Sequence, residues 1–287
     1  MDYRTIRLEL NPPLATVTLN RPDRLNAFSH ELVYEVIRAL DGLKQDDTIR
    51  AVILCGAGKA FSAGYDIKGD DGDFGARGIA GLKKDLQYCW DYAFAIWRFP
   101  KPIVAQVHGY CLAGACEIAM LCDLTIASDD AVFGEPEIRF ATGPPALIMP
   151  WVVPMKIAKE LIYTGKFIKA QRAYEIGMVN EVVGRDQLER RARYHALLIS
   201  KVAPLAVQLA KEAINHTYEI QGLVSAFANN ANLVAIMDGT ETEENRIFEQ
   251  IRKEKGLRAA LDWRDKHFDE VERELAHPPY GGLPTGS

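Results

Sequence analysis

The stretch from residue 103 to residue 137, IVAQVHGYCLAGACEIAMLCDLTIASDDAVFGEPE, limits the possible folds more than any other part of the chain. Ile103 to Val107 read as a buried strand that runs into a turn at His108-Gly109. A corner of small residues, Ala113-Gly114-Ala115, opens an apolar helix over Cys116 to Leu121. A second apolar strand, Leu124 to Ala127, follows, and then the loop Phe133-Gly134-Glu135-Pro136-Glu137. Strands alternating with a helix in so short a span belong to an α/β fold.

Chemistry can be read from the same residues. A helix N-terminus leaves backbone N–H groups unsatisfied and carries the positive end of the helix dipole. Gly114 at that point has no Cβ to keep a ligand oxygen away from the backbone. Such donors suit a developing oxyanion. Glu117 is the one charged residue in the helix, and a carboxylate there is costly unless it is paired or functional. Glu137 offers a second carboxylate from a loop fixed by Pro136. Two carboxyl groups in a desolvated pocket titrate apart, so one serves as base and the other as acid.

The run GYCLAGACEIAMLCD followed by FGEPEI resembles the signature of the crotonase superfamily, and its enoyl-CoA hydratases in particular. The spacing of the two glutamates resembles the same branch. The resemblance implies an α/β fold with a crotonase-like spiral core of ββα units. It also implies helices that pack around a trimer axis, giving a homotrimer or a hexamer. In the implied reaction, water adds across the 2,3 double bond of an enoyl-CoA thioester. Glu117 helps to activate the water that adds at Cβ, and Glu137 handles the proton at Cα. The N–H groups of Tyr65 and Gly114 hold the thioester oxygen. No metal and no separate cofactor is implied, because coenzyme A is part of the substrate.

Tyr65 enters because Ala63-Gly64-Tyr65-Asp66-Ile67 is similar to the family segment (A/S)-G-x-D-(I/L). The residue after that glycine supplies an oxyanion N–H, and the neighbouring backbone meets the adenine of CoA. Ala63, Asp66 and Ile67 are therefore expected at the substrate. Asn20 to Ala27 reads locally as a turn or as a ligand-binding loop at a strand end. It resembles the family run Asn-Arg-Pro-x-x-x-Asn-Ala that lines the CoA site, which brings in Arg24, Leu25 and Ala27. Leu112 and Pro136 complete the expected substrate set. The chain departs from the family at Gly143-Pro144-Pro145-Ala146, where many hydratases have Gly-Gly-Thr-Gln. Met149, Trp151 and Val152 nearby serve the core or shape the acyl pocket. Ala260 and Trp263 stand where an aromatic and a basic residue are usual, leaving Arg264 and Lys266 as replacements. Other crotonase reactions remain open: double-bond isomerisation, dehydration of a hydroxyacyl-CoA, or C–C hydrolysis.

Elsewhere the patterns are plainer. Residues 5 to 10 and 14 to 20 alternate around Asn11-Pro12-Pro13 as a hairpin, with Ala15, Val17 and Leu19 on one face and Thr16 and Thr18 on the other. Ser29 caps a helix from about residue 30 to 44. Ile49 to Leu54 is a further strand. GDDGDFGARGIAG, residues 69 to 81, reads as a mobile loop; Asp70, Asp71 and Asp73 superficially suggest calcium but lack the distal glutamate of a calcium loop. A helix follows over residues 82 to 98. A helix from 156, a second ending at Gly177 and a strand from Met178 to Val183 come next. His108 and Asp123 are expected to be structural, and Arg139 either pairs with an acid or reaches substrate. The expected organisation is a spiral core over residues 1 to 200, a helical oligomerisation region over 201 to 276 and a disordered tail over 277 to 287.

Composition narrows the classes. A formal net charge of −5 disfavours nucleic acid as a partner and, with both glutamates present, a non-catalytic RNA-binding role. Five cysteines without a C-x-x-C pair predict reduced, buried thiols. No secretory leader is visible at the N-terminus and no apolar run is long enough to span a membrane, so the expected compartment is the cytoplasm.

Overall fold

The computed structural model describes residues 2–67 and 78–275. The Asp70, Asp71 and Asp73 run and the tail from residue 277 lie outside the described residues.

Strands β1 (Ile6–Asn11) and β2 (Leu14–Leu19) form the expected antiparallel hairpin, with Ile6 opposite Leu19 and Asn11 opposite Leu14. A 3-10 turn at Pro22–Arg24 leads into helix α1 (His30–Gln45), whose cap Ser29 accepts a hydrogen bond from the Leu32 N–H at 3.2 Å. Next come β3 (Ala51–Gly56), α2 (Gly78–Trp97), β4 (Ile103–Val107), β5 (Tyr110–Leu112) and α3 (Gly114–Leu121). Then follow β6 (Leu124–Ser128), β7 (Val132–Gly134), a 3-10 turn at Pro136–Phe140, α4 (Met149–Val152), α5 (Met155–Thr164), β8 (Ile168–Lys169), α6 (Ala170–Glu175) and β9 (Glu181–Val183). Five helices close the chain: α7 (Leu188–Ser200), α8 (Pro204–Ile220), α9 (Leu223–Asp238), α10 (Glu243–Lys255) and α11 (Leu257–Leu275).

Six strands make one sheet in the order β1-β2-β3-β4-β6-β9, parallel from β2 onward. A smaller sheet, β5-β7-β8, stands apart from it. Parallel strands are covered on both faces, so their sequences read as continuous apolar runs. Ala15, Val17 and Leu19 pack with Leu32 and Val36 of α1, as their spacing predicts. The opposite face is not open: Leu14, Ala51, Ile53, Val104 and Ile126 meet Leu188, Ala192 and Ala196 of α7. Thr18 is accordingly buried, its hydroxyl 3.4 Å from the Cys55 thiol. The last strand is shorter than its apolar run. Asn180 instead brackets Thr125, accepting from its N–H at 2.7 Å and donating to its carbonyl at 2.9 Å.

The chain divides into two compact units, residues 1–138 with 142–239, and residues 139–141 with 240–287. Pro204 opens α8 at its first turn, and both α8 and α9 belong to the larger unit. In the smaller unit, the Phe140 and Phe248 rings meet edge to face at 5.1 Å, and the Arg264 guanidinium lies 4.3 Å over Phe140. All five cysteines are free and buried, as their spacing predicts. No single described helix is long and apolar enough to cross a membrane.

Loop geometry near the sheet's C-terminal edge depends on Asn26, which is fully buried at a left-handed φ of 54°. Its amide donates to the carbonyls of Ala57 and Ala60 at 2.8 Å each and accepts from the Arg21 N–H at 2.9 Å. Asn26→Ala strands these buried groups and is expected to cost about 2–4 kcal/mol of unfolding free energy. Denaturant titration checks this; a loss below about 1 kcal/mol would show that the side chain is not what ties the loop down.

Candidate active site

The site is assembled where β4 runs out. His108 closes the strand, buried, with its Nε2 3.1 Å from the Gly58 carbonyl; burial pushes its pKa down, in keeping with a structural role. β5 then lies between two neighbours. On one side it pairs in parallel with β7, matching Leu112 to Gly134. On the other, Ser62 donates its N–H to Tyr110 at 3.0 Å and accepts from the Leu112 N–H at 3.2 Å. The chain continues from Ser62 to Gly64, whose carbonyl accepts from the Phe28 N–H at 2.8 Å, and Asp66 donates back to Phe28 at 3.1 Å. Four segments separated in sequence are thereby drawn side by side.

At the end of β5 the chain turns sharply through Ala113, at φ 56° and ψ −138°, and starts α3. The Ala113 N–H donates to the Gly134 carbonyl at 2.8 Å, tying this turn to the loop that carries Glu137. Two glycines permit the close approach. Gly64, at φ +89°, would place a Cβ against Ala113 and the Leu112 carbonyl, and a Cβ on Gly114 would run into the Tyr65 ring. No described residue accepts a hydrogen bond from the Tyr65 or Gly114 amide.

Every residue of α3 is buried, Glu117 included. One carboxyl oxygen of Glu117 accepts the Ala146 N–H at 2.6 Å, and the other has no hydrogen-bond partner among the described residues. The donor comes from the Gly143-Pro144-Pro145-Ala146 segment. Pro144 and Pro145 present carbonyls to the Asn230 side chain at 2.8 and 3.2 Å, and Pro145 also accepts from the Trp90 indole at 3.1 Å. The two prolines thus hold a rigid bracket that aims one N–H at Glu117. Burial raises the pKa of Glu117 well above the usual carboxylate range, and the negative charge of nearby Glu137 adds to it. The Ala146 hydrogen bond opposes both. Glu137 is itself buried, on the 3-10 turn that Pro136 begins.

The expected residues fall into two groups. Glu117, Glu137, Leu112, Gly114 and Pro136 share the β5–β7 end, with Tyr65 laid against Gly114. Leu25, Ala27, Ala63 and Asp66 share the other: Ala63 donates to the Leu25 carbonyl at 3.0 Å, and Arg21 joins the set through Asp66 at 2.9 Å and the Ala27 carbonyl. Arg24 and Ile67 are exposed beside this group. Asp123 is structural, accepting from the Ile103 N–H and from Lys211 at 2.7 Å each. Arg139 pairs with Asp265 at 3.7 Å, and Arg264 is buried beside the same carboxylate. Sequence reasoning missed three participants: the Ala146 N–H, Asn26 and Glu135. Asn26 was visible as the second Asn of the Asn20–Ala27 run and Glu135 as a third acid two positions from Glu137, whereas nothing local marked the Ala146 N–H.

In sequence and in fold the chain is similar to known proteins. The family model for enoyl-CoA hydratase/isomerase matches residues 9–270. A probable enoyl-CoA hydratase of Mycobacterium bovis is 37% identical over 226 residues, 76% of this chain and 84% of the relative. The short-chain-enoyl-CoA hydratase of Clostridium acetobutylicum is 34% identical over 266 residues, covering 89% of this chain and 97% of its own length. A crystal structure of an enoyl-CoA hydratase/isomerase from Xanthobacter autotrophicus Py2 matches with a TM-score of 0.88 at 40% identity, over 93% of this chain and 99% of that one. The crotonase-like fold expected from the motifs is the fold these proteins share.

The raised pKa has a consequence for stability. A carboxyl group that titrates higher in the folded state than its ordinary 4.5 binds more protons folded than unfolded. Its stabilising contribution is complete below the ordinary value and is lost as pH rises through the folded one. Glu117→Gln keeps an acceptor for Ala146 and cannot ionise. The variant's melting temperature should therefore exceed the parent's by a margin that grows as pH rises above the ordinary carboxyl value of 4.5. Calorimetry showing a constant or shrinking margin would contradict the assignment.

Proposed function

This chain belongs to the enoyl-CoA hydratase/isomerase family, and we propose that its site adds water reversibly across the 2,3 double bond of an enoyl-CoA thioester. The observation that carries the reading is Glu117: a carboxyl group in a fully buried helix, one oxygen fixed by Ala146 and the other free of described partners, beside a second buried carboxyl. A group in that state either costs stability for nothing or holds a water for reaction.

In the proposed reaction the thioester oxygen takes hydrogen bonds from the Tyr65 and Gly114 amides. They stabilise the negative charge that develops as water attacks. Glu117 accepts a proton from that water, whose oxygen bonds to Cβ. The π electrons move toward Cα and the thioester, and Glu137 delivers a proton to Cα. The reverse sequence dehydrates a 3-hydroxyacyl-CoA. The thioester already acidifies Cα, so the chemistry calls for no metal or further cofactor. The loop around Leu25 and Ala27, with Ala63 and Asp66, is proposed to hold the nucleotide end of CoA. Self-association completes the reading: Leu205, Leu209 and Ile220 share one side of α8 and are more than half exposed in the single chain, and apolar helical faces of that kind are covered in trimers or hexamers.

Glu117→Gln and Glu137→Gln should each lower kcat for hydration of crotonyl-CoA by about 10²-fold or more. The check is loss of the conjugated thioester absorbance together with chromatographic identification of the product. A 3-hydroxyacyl-CoA supports hydration, and a shifted double bond would assign the site to isomerisation. Near-normal turnover in both variants would remove the two glutamates from the chemistry.

A further inference from the structure

Glu135 is a third carboxyl group at the same place, and the reaction proposed above does not use it. It sits between Gly134, whose carbonyl holds the turn into α3, and Pro136, which opens the turn bearing Glu137. It is 1% exposed, and neither of its carboxyl oxygens has a hydrogen-bond partner among the described residues. The titratable groups whose charge acts between it and its surroundings are Glu117 on α3, Glu137 on the 3-10 turn, and the thiols of Cys111 on β5 and Cys116 on α3.

The same molecule provides a contrast. Glu35 is also buried, at 5% exposure, but its carboxylate accepts the Arg4 and Thr5 N–H groups at 2.8 Å each and the Thr5 hydroxyl at 2.6 Å. Burial alone would raise its pKa, yet those donors bring it below the usual value. Glu135 has no such donor. Burial pushes it well up, and the charges of Glu117 and Glu137 push the same way. Glu117 at least has the Ala146 N–H to favour its charged form. Of the buried carboxyls whose surroundings are defined, Glu135 is the one with least to favour ionisation.

We infer that Glu135 is a positioning residue that stays a neutral acid, and that its O–H donates through one water to the ionised carboxylate of the Glu117–Glu137 pair and holds it in place. It supplies a donor where the other two side chains supply acceptors. It also keeps a second negative charge out of the cluster. This role rests on the hydratase reading for its effect on turnover, but not for the protonation state of Glu135.

The experiment compares Glu135→Gln and Glu135→Leu with the parent. Infrared difference spectra near pH 7 report the carbonyl stretch of neutral carboxyl groups, whatever reaction the protein catalyses. Both variants should lose one neutral-carboxyl band. In turnover of crotonyl-CoA, Glu135→Leu should lower kcat about tenfold or more, the loss of one buried hydrogen bond to a charged group, and Glu135→Gln should restore most of it through its N–H. The alkaline limb of the kcat–pH profile should move to higher pH in Glu135→Gln, because the amide cannot ionise. No band lost from Glu135→Gln would show that Glu135 is ionised and overturn the inference. So would Leu and Gln variants of equal kcat, or an alkaline limb that does not move. If the parent itself fails to hydrate any enoyl-CoA, the hydratase reading falls, and the infrared comparison still decides the state of Glu135.

Discussion

Shutting a carboxyl group away from water is costly, and α3 does so at Glu117, in a helix without one exposed residue. What surrounds that group follows from the cost. The Ala146 N–H meets one oxygen, and the segment that presents it is fixed by two prolines and by side chains from α2 and α9. The sharp Ala113 turn fixes where the helix begins and is itself fastened to Gly134. The loop beyond Gly134 brings two more carboxyls into the same dry region. Glu117, with one oxygen unpartnered among the described residues, departs from the rule that buried polar groups are satisfied, and the rest of the fold supports the departure.

Much of this frame was legible in the amino acids. The strand–helix–strand run from Ile103 onward appears within one or two residues of where its apolar pattern puts it, because strands and helices buried on all sides read as uninterrupted apolar segments. Glu117 was legible for the same reason, because a charge stands out in such a run, and Glu137 was legible from the Pro136-fixed loop that follows that run. The support for Glu117 was not. Trp90 and Asn230 lie 55 and 86 residues from the prolines they hold, so no local pattern announces the bracket. Gly143-Pro144-Pro145 accordingly read as a departure from a family pattern, whereas the structure makes it the part that aims the Ala146 donor. The second covered face of β2 was hidden likewise, since α7 arrives from much later in the chain.

Glu35 and Glu135 show what burial fraction alone fails to tell. Both carboxyls are buried, yet one is met by three donors and the other by none among the described residues. The first ties the start of the chain to α1 and is paired in full, as structural carboxylates are. The second places a third carboxyl group in a region that already holds two. Chains tolerate that kind of mismatch where reaction chemistry needs it and remove it elsewhere. The glycines at 64 and 114 belong to the same logic: each forgoes a side chain so that two backbone segments lie against one another.

The most direct test of the account is a crystal structure with a non-reactive acyl-CoA bound. The thioester oxygen is expected at about 2.7–3.1 Å from both the Tyr65 and Gly114 nitrogens, with the carboxyl groups of Glu117 and Glu137 over the two carbons next to the carbonyl. A thioester bound elsewhere, or amides turned away from its oxygen, would contradict it.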